Sequence, residues 1–189
     1  FGFNAWGGLD GGCYSSWEKD SDIARQVIKL AGCSRYNMQQ MILEGGSISV
    51  DGEGTVLVTE QCLLNKNRNP HLSRHQIEAN LCEYLGATKV LWLGEGIVGD
   101  SDTDGHVDNL ACFVRPGHVL LHWTDDASDP QHAISMDALQ RLEAATDAKG
   151  RQIVVHKMPM PGPLYYEEEE TATLATRPSS GGTRSGGEA

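Results

Sequence analysis

The chain has 189 residues, of which 39% are hydrophobic, and its formal net charge at neutral pH is −11. This length predicts roughly one domain with its own core. A nucleic-acid partner is disfavoured because phosphates must be met by Lys and Arg. The acidic balance would suit a cationic ligand, although acidity more often serves only solubility. The sequence has no apolar run of about 18 residues and no signal peptide, so we expect no membrane association.

Five cysteines occur at positions 13, 33, 62, 82 and 112. Their number is odd and no C-x-x-C motif is present, so we expect no zinc site. Cys82 falls on a predicted helix and Cys112 on a predicted strand, so both are expected in the core. The pattern is typical of reduced, buried thiols in a cytoplasmic protein.

The N-terminal region begins with a segment rich in Gly and aromatic residues, which predicts a loop over residues 1–17. A short amphipathic helix is expected over residues 21–30, ended by Gly32. Its apolar face consists of Ile23, Val27 and Leu30. A strand over residues 38–43 should then lead into Glu44.

The middle of the chain alternates strands with one helix. In order, we predict strands over 47–50 and 55–59 joined by a turn, a polar loop over 60–72, a helix over 73–85 and a buried strand over 89–93. The helix has a capping box in Ser73 and Gln76, and Gly86 is its stop signal. The last strand is continuously apolar, as in a strand covered on both faces.

The second half of the chain repeats this order. We predict strands over 109–114 and 118–123 joined by a turn, a helix over 135–145 and a last strand over 151–156. The helix should turn Met136, Leu139 and Leu142 inward. After Pro163 the pattern is lost, and residues 166–189 have the composition of a disordered tail. We therefore expect one mixed α/β domain over residues 1–165.

The two halves form an internal repeat. Glu44 precedes the first hairpin and His106 the second, and each lies 29 residues before a serine predicted to open a helix, Ser73 or Ser135. The offset between the copies is 62 residues at both ends. Repeated hairpin-plus-helix modules predict a radial array or a solenoid, in which equivalent strand starts converge on one central site.

Glu44, His106 and Asp108 are the strongest candidates for chemistry. His106 and Asp108 are two residues apart, which would place both side chains on one face of a strand. Glu44 occupies the position equivalent to His106 in the repeat. A His with carboxylates on one face suits proton transfer around a cationic substrate group. The other histidines lack such partners and are expected on the surface or in packing: His71, His75, His118, His122, His132 and His156.

The segment from Asp100 to Gly105 matches the first half of a calcium-binding loop. Position 12 of that loop should carry a bidentate Glu but is Ala111, and the flanks predict strands rather than helices. Calcium is therefore disfavoured. Two interpretations stay open: the Asp residues cap a turn, or they form a carboxylate cluster that faces the substrate. Trp6 is likewise either a core residue or a stacking partner for a planar cation.

Several segments are specific enough to suggest a family. They are residues 3–8 (FNAWGG), 44–47 (EGGS), 59–65 (TEQCLLN), 67–70 (NRNP), 102–109 (DTDGHVDN), 123–126 (WTDD) and 129–130 (DP). On these segments the chain resembles the agmatine deiminases, which are guanidino-group-modifying enzymes of pentein fold, and the bacterial type of peptidyl-arginine deiminase. The resemblance covers about residues 1–165. It implies an α/β propeller of five modules, and the repeat fits two of these strand-hairpin-helix modules.

The resemblance also implies roles for individual residues. His106 would be the general acid/base, and Asp108 would be a carboxylate that grips the guanidinium. Glu44 would be a second acid/base that orients the substrate. These roles fit the chemistry of the substrate, because a planar delocalised cation needs carboxylate acceptors in its plane.

The implied substrate is agmatine, and the implied products are N-carbamoylputrescine and ammonia, in putrescine biosynthesis. A Cys thiolate would attack the guanidinium carbon, and ammonia would leave with a proton from His106. Water activated by His106 would then release the product. Asp102 or Asp104 would lie near the distal amine, and Trp6 would line the pocket. No metal or organic cofactor is implied.

Two parts of the family pattern are unmatched. The family has a nucleophilic Cys in a Gly-rich segment near its C-terminus, and nothing similar follows Pro163, while its guanidinium-binding Asp would precede Phe1. We therefore expect an incomplete and inactive fragment, in which none of the five cysteines is the nucleophile. The alternatives are an arginine or peptidyl-arginine deiminase and a non-catalytic polyamine-binding module. Association into homo-oligomers stays open.

Overall fold

The computed structural model describes residues 1–161 of the chain. Within these residues the α-helices are α1 (Glu18–Leu30), α2 (Glu60–Leu63), α3 (Arg74–Leu85), α4 (Val107–Leu110) and α5 (Pro130–Glu143). The strands are β1 (Ser49–Val50), β2 (Thr55–Thr59), β3 (Lys89–Leu93), β4 (Ala111–Arg115), β5 (His118–Trp123) and β6 (Val154–Pro159). Short 3-10 helices span Gly8–Asp10 and Gly45–Ser47.

The strands form two three-stranded sheets that are built in the same way. In the first module, β1 and β2 form an antiparallel hairpin, and β3 pairs in parallel with β2 after the crossover helix α3. In the second module, β4, β5 and β6 repeat this arrangement around α5. The predicted mixed α/β class is therefore confirmed. Neither described sheet closes on itself.

The registers of the two sheets define how the modules correspond. Ser49 pairs with Leu57 and Cys112 pairs with Leu120, so equivalent residues of the two hairpins lie 63 positions apart. This is close to the offset of 62 read from the sequence. The helices do not keep that offset, because α5 starts before Ser135.

Helix α5 begins earlier than predicted because Asp129 and Pro130 start it. The Asp129 side chain accepts a hydrogen bond from the Gln131 backbone N at 2.9 Å. Proline suits the first helical position, where no N–H donor is needed. Ser135, predicted to open the helix, is buried inside it and donates from Oγ to the carbonyl oxygen of His122 at 2.9 Å.

Helix α3 has the ends that the sequence predicts. The Ser73 side chain accepts a hydrogen bond from the Gln76 backbone N, and Gln76 Oε1 accepts one from the Ser73 backbone N at 2.9 Å. Gly86 ends the helix in the left-handed conformation, at φ 69°, which glycine adopts without a steric penalty. The buried face of α3, with Ile77 and Leu81, packs toward the first sheet.

The core covers both faces of the first sheet but only one face of the second. One cluster comprises Val56, Val58 and Trp92 of the first sheet with Ile77 and Leu81 of α3. The other comprises Leu57, Leu91 and Leu93 of the first sheet, Leu139 and Leu142 of α5, and Val119, Leu121 and Trp123 of the second sheet. Within residues 1–161, the face of the second sheet that carries His118, Leu120 and His122 is only half covered.

Helix α1 begins at Glu18, and its apolar face points outward. Ile23, Val27 and Leu30 are each more than half exposed, and no residue of α1 is buried. The amphipathic pattern thus predicts the helix correctly, but no part of the described chain covers its apolar side.

The segment 38–43 is not a strand, which corrects the prediction. It forms a turn with one isolated bridge, between Gly2 and Ile42. The Asn69 side chain takes the place of a neighbouring strand: Ile42 N donates to Asn69 Oδ1 at 2.8 Å, and Asn69 Nδ2 donates to the Ile42 carbonyl oxygen at 3.0 Å. Met38 and Met41 are buried, which explains the apolar pattern of the segment.

The short helices α2 and α4 occupy segments predicted as a loop and as the start of a strand. No helix among residues 1–161 is long and apolar enough to cross a membrane. The predicted tail over residues 166–189 lies outside the described residues.

Candidate active site

A cavity of about 700 Å³ opens where helix α1 meets three loops: the N-terminal segment, the turn before β1 and the loop before β4. Its wall contains Asp20, Glu44, His106 and Asp108 together with the aromatic residues Phe1, Phe3, Trp6 and Tyr14. Among the described residues that line it there is no Lys or Arg. The structure therefore brings Glu44, His106, Asp108 and Trp6 together, as predicted, in a wall that favours a cation.

Glu44 lies where the chain enters the first module, and its side chain is buried. Oε1 accepts a hydrogen bond from Arg68 Nε at 2.7 Å. Burial alone would raise the pKa of Glu44, but His106 and Arg68 outweigh burial, and the net pKa lies below its usual value. Glu44 is therefore a carboxylate at neutral pH. Its second oxygen, Oε2, has no hydrogen-bond partner within residues 1–161.

Arg68 is a site residue that the sequence does not reveal. It is buried and links the loops of the two modules, because Nη1 donates to Asp104 Oδ2 at 2.9 Å and Nη2 donates to the Thr103 carbonyl oxygen at 3.0 Å. Burial alone would lower the pKa of Arg68, but its acidic partners, Glu44 first among them, together outweigh burial, and the net pKa lies above its usual value. In the sequence Arg68 lies in a polar loop where an exposed Arg would look the same. Its only signal is its place in the NRNP segment.

His106 is held at the N-terminal cap of α4 and not on a strand, which corrects the prediction. Asp100 orders the loop before it by accepting hydrogen bonds from the backbone N of Thr103, Gly105 and His106 at 3.0–3.2 Å. Burial would raise the pKa of Asp100, but the Thr103 hydroxyl and these backbone donors lower it. Asp100 thus caps a turn, which is one of the two interpretations left open for its segment.

The side chains of His106 and Asp108 both extend from the start of the short helix α4 to the backbone of Gly46. A side chain at position 46 would bring its Cβ under 3 Å from both His106 Nδ1 and Asp108 Oδ2. Only glycine at this position leaves room for the two groups. On the other edge of the imidazole ring, Nε2 lies 3.8 Å from Glu44 Oε2. This spacing is too long for a hydrogen bond.

Trp6 lines the cavity, as predicted, from a strained segment. Ala5 and Trp6 have φ angles of 56° and 62°, a region that non-glycine residues rarely occupy and that recurs at functional sites. The Trp6 ring packs edge-on against Phe3 and Tyr14, with ring centroids 5.0 and 6.1 Å apart. Partial burial and then the charge of Asp20 raise the pKa of Tyr14. One end of the cavity is therefore an aromatic wall with a carboxylate beside it.

Asp102 and Asp104 do not line this cavity. Asp104 Oδ2 accepts hydrogen bonds from Arg68 Nη1 at 2.9 Å and from Asn67 Nδ2 at 2.8 Å, so it holds the loop that presents His106. A role for Asp102 or Asp104 beside the distal amine stays a prediction. Asp20 is the carboxylate that the wall offers at the aromatic end.

All five cysteines are free thiols, and one of them adjoins the site. Cys62 of α2 is fully buried, and one donor atom each of Glu44, Cys62 and His106 lies within 4.8 Å of the others. Burial and then the charge of Glu44 raise the pKa of the Cys62 thiol to about 12. Cys82 and Cys112, predicted to be core residues, are only partly buried, and Cys33 is exposed.

Comparison with known proteins adds to this geometry. A family model described as Porphyromonas-type peptidyl-arginine deiminase matches residues 1–176. The chain belongs to this family. Within the Porphyromonas-type peptidyl-arginine deiminase family, its similar relatives include the agmatine deiminase of Ectopseudomonas mendocina, which is 58% identical over 170 residues, covering 90% of this chain and 46% of that protein.

Two solved structures show that the fold is shared. The agmatine deiminase of Enterococcus faecalis superposes with a TM-score of 0.80 at 49% identity, over 85% of this chain and 44% of that one. An agmatine deiminase of C. jejuni with substrate bound superposes with a TM-score of 0.72 at 34% identity, over 88% of this chain and 46% of that one. The chain thus spans about half the length of the relatives that it matches.

Proposed function

We propose that the protein acts in the deimination of agmatine to N-carbamoylputrescine and ammonia. The observation that carries this proposal is the convergence of Glu44, His106 and Asp108 in one cavity whose described wall has no Lys or Arg. The high identity to agmatine deiminases supports the choice of substrate.

In this proposal Asp108 and Glu44 bind the guanidinium group. A guanidinium ion presents N–H donors in one plane, and carboxylates are its strongest acceptors. Glu44 suits this task because it is ionised and because Arg68 fixes Oε1, which leaves Oε2 for the substrate. Asp108 lies beside His106 over Gly46, so the bound group would be close to the imidazole.

His106 moves the protons. A Cys thiolate attacks the guanidinium carbon, the carbon–nitrogen bond breaks, and ammonia leaves with a proton from His106. His106 then takes a proton from water, the hydroxide attacks the same carbon, and the carbon–sulfur bond breaks to return the thiolate. The nucleophile is the Cys that the resemblance implies, and we assign it to none of the five cysteines of this chain. No cofactor takes part in these steps.

The distal ammonium of agmatine is proposed to lie at the aromatic end of the cavity. Trp6 and Tyr14 offer faces and edges of aromatic rings, and Asp20 offers a negative charge. Arginine and peptidyl-arginine carry a carboxylate or a peptide group at that end. A carboxylate there would face Asp20 without a described cationic partner, so agmatine fits the wall better.

Two wider expectations belong to the same proposal. The two modules are proposed to form part of a pentein-type α/β propeller, which the repeated hairpin-helix-strand order supports. The reaction is proposed to take place in the cytoplasm, since five unpaired cysteines fit a reducing compartment. Association into homo-oligomers stays a prediction.

Calorimetry with agmatine, putrescine and arginine tests the binding steps. We expect agmatine to bind more tightly than putrescine, which lacks the guanidinium, and more tightly than arginine. Glu44→Gln and Asp108→Asn should weaken agmatine binding at least tenfold, whereas Glu83→Gln, an exposed change on α3, should not. Asp20→Asn should weaken agmatine and putrescine alike. Equal binding of agmatine and putrescine would instead favour the non-catalytic polyamine-binding module.

An ammonia assay tests the assignment of the nucleophile. The purified chain should release no ammonia from agmatine, because none of its cysteines is the proposed nucleophile. Ammonia release that Cys112→Ala or Cys62→Ala abolishes would overturn that assignment. If release occurs, His106→Asn should slow it by about 10²–10⁴-fold, the usual contribution of general acid/base catalysis.

A further inference from the structure

One titratable group beside the cavity has no role in the proposed reaction. Cys62 is fully buried behind the site and takes no part in deimination as proposed. Next to it, Glu44 Oε2 and His106 Nε2 have no hydrogen-bond partner within the described chain, although the two residues are only 7% and 6% exposed. A buried polar atom without a partner destabilises the fold, so such atoms commonly mark a place where something binds.

We propose that Glu44, Cys62 and His106 form a binding site for a soft divalent metal ion, such as Zn²⁺ or Cd²⁺. Carboxylate oxygen, thiolate sulfur and imidazole nitrogen are the ligand types that Zn²⁺ takes in proteins, and a thiolate favours soft ions over Mg²⁺ or Ca²⁺. The three ligands are far apart in sequence, which is why no spacing motif indicates them.

The distances fit this set of ligands. In a tetrahedral zinc site the ligand atoms lie roughly 3.5 Å from one another. The Glu44 Oε2 and His106 Nε2 atoms are 3.8 Å apart, and one donor atom of each of the three residues lies within 4.8 Å of the others. Since Glu44 and His106 line the cavity, the fourth position of the metal would open toward it and hold water.

The charges also favour a dication. Glu44, Asp104 and a Cys62 thiolate would carry three negative charges against one positive charge on Arg68, and Asp108 lies beside His106 as a further carboxylate. Arg68 bonds to Oε1 of Glu44 and leaves Oε2 for the metal. On binding, the Cys62 Sγ–H bond breaks, a metal–sulfur bond forms, and the proton leaves to solvent.

A metal in this position would inhibit deimination. It would occupy the Glu44 oxygen and the His106 nitrogen that the reaction needs, so substrate and metal would compete. This inhibition rests on the proposed function, but the metal site does not.

Cadmium titration of the full chain tests the site, because Cd²⁺–thiolate bonds absorb in the ultraviolet. A Cys13→Ser, Cys33→Ser background removes the exposed thiol and a partly exposed one. We expect one equivalent of Cd²⁺ to give a sulfur-to-metal absorption band. Cys62→Ser should abolish the band, and Cys112→Ser, a matched change of a partly buried cysteine, should leave it intact.

Two results would overturn the metal site: no band from the folded background chain, or a band that persists after Cys62→Ser. If Cys62→Ser fails to fold by circular dichroism, Glu44→Gln and His106→Asn decide, since each should weaken Cd²⁺ binding at least tenfold. Unchanged affinity in both would exclude the site. Competition is measured separately with saturating agmatine. If agmatine binds but does not displace the metal, the site stands and the inhibition is wrong.

Discussion

The two modules share one plan but differ in how they are covered. In the first sheet every residue of β2 is buried, because α3 packs on one face and the second module on the other. In the second sheet, the residues of β5 alternate between buried and half-buried. Leu57 is fully buried, whereas its register equivalent, Leu120, is only partly buried.

Burial of a strand residue therefore depends on which element packs against its face of the sheet and not on the module to which the strand belongs. The equivalent face of the first sheet packs against α5, which belongs to the second module. The composition of each strand matches the burial of its faces. Strand β2 (TVLVT) has apolar residues on both faces, whereas β5 (HVLLHW) has histidines on the open face. Substitutions in the two modules test this difference, and the effect of each on the free energy of unfolding can be measured by urea denaturation.

The largest effect is expected at Arg68, which joins the loops that lead into the two modules. Arg68→Ala leaves Glu44 buried without its ion-pair partner and should lower the free energy of unfolding by about 3–5 kcal/mol. The control is Arg25→Ala, because both side chains of its ion pair with Asp22 are exposed and the pair should contribute little to stability. Equal losses in both variants would show that burial of Arg68 does not matter.

The next effect separates the covered sheet from the half-open one. Leu57→Ala should lower the free energy of unfolding by about 2–5 kcal/mol, because it leaves a cavity in a packed core. Leu120→Ala removes the same atoms from the equivalent position. It should lower the free energy of unfolding by clearly less, because the Leu120 side chain is already partly exposed to solvent. A loss at Leu120 as large as that at Leu57 would mean that the open face is covered in solution.

A pH-dependent effect is expected at Asp100, which orders the loop before the second module. Its pKa is lowered in the folded state, so its contribution is fully present above its ordinary value of about 4 and is lost as the pH falls through the folded value. Asp100→Asn should destabilise the protein by about 1–3 kcal/mol at pH 7. The difference between the two proteins should shrink on acidification below pH of about 4. A constant difference across this range would contradict the role of the charge.

The smallest effect is expected on the open face itself. Met158 pairs with His122 as Leu93 pairs with Thr59, so the two residues are equivalent in the two sheets. Met158 is 44% exposed, and Met158→Gln should change the free energy of unfolding by no more than about 0.5 kcal/mol. Leu93→Gln should be severely destabilising by comparison. A large loss at Met158 would again indicate a hidden partner for this face.

Local patterns in the sequence predict much of the fold. The bounds of β2, β3 and β5 agree with the prediction, because alternating or continuous apolar runs between turn residues are local signals. The ends of α3 agree for the same reason, since capping depends on neighbouring residues. The last strand, β6, lies three residues later than predicted, because its register with β5 and not its own composition sets its position.

Long-range contacts explain what the sequence does not predict. The pattern of residues 38–43 looks like a strand, but Asn69, distant in sequence, takes the hydrogen bonds that a strand would make. The spacing of His106 and Asp108 suggests a strand, yet the Asp100 turn sets them at the start of α4. Both side chains still reach the cavity, so the prediction that they share a cleft with Glu44 is confirmed although its reason is wrong.

The sequence does not identify the two site residues whose importance depends on their being buried, Arg68 and Cys62. Arg68 and Cys62 have no pattern that distinguishes them from an exposed loop Arg and an ordinary core thiol. Only the approach of the two loops shows that one guanidinium pairs with carboxylates from both modules.

The link through Arg68 also has a consequence for the order of folding. Each parallel crossover closes within one module, whereas the Arg68–Asp104 contact needs the loops of both. The cavity therefore cannot assemble before the two modules dock. A chain whose modules had not docked would lack the binding site, so ligand binding reports that docking has taken place.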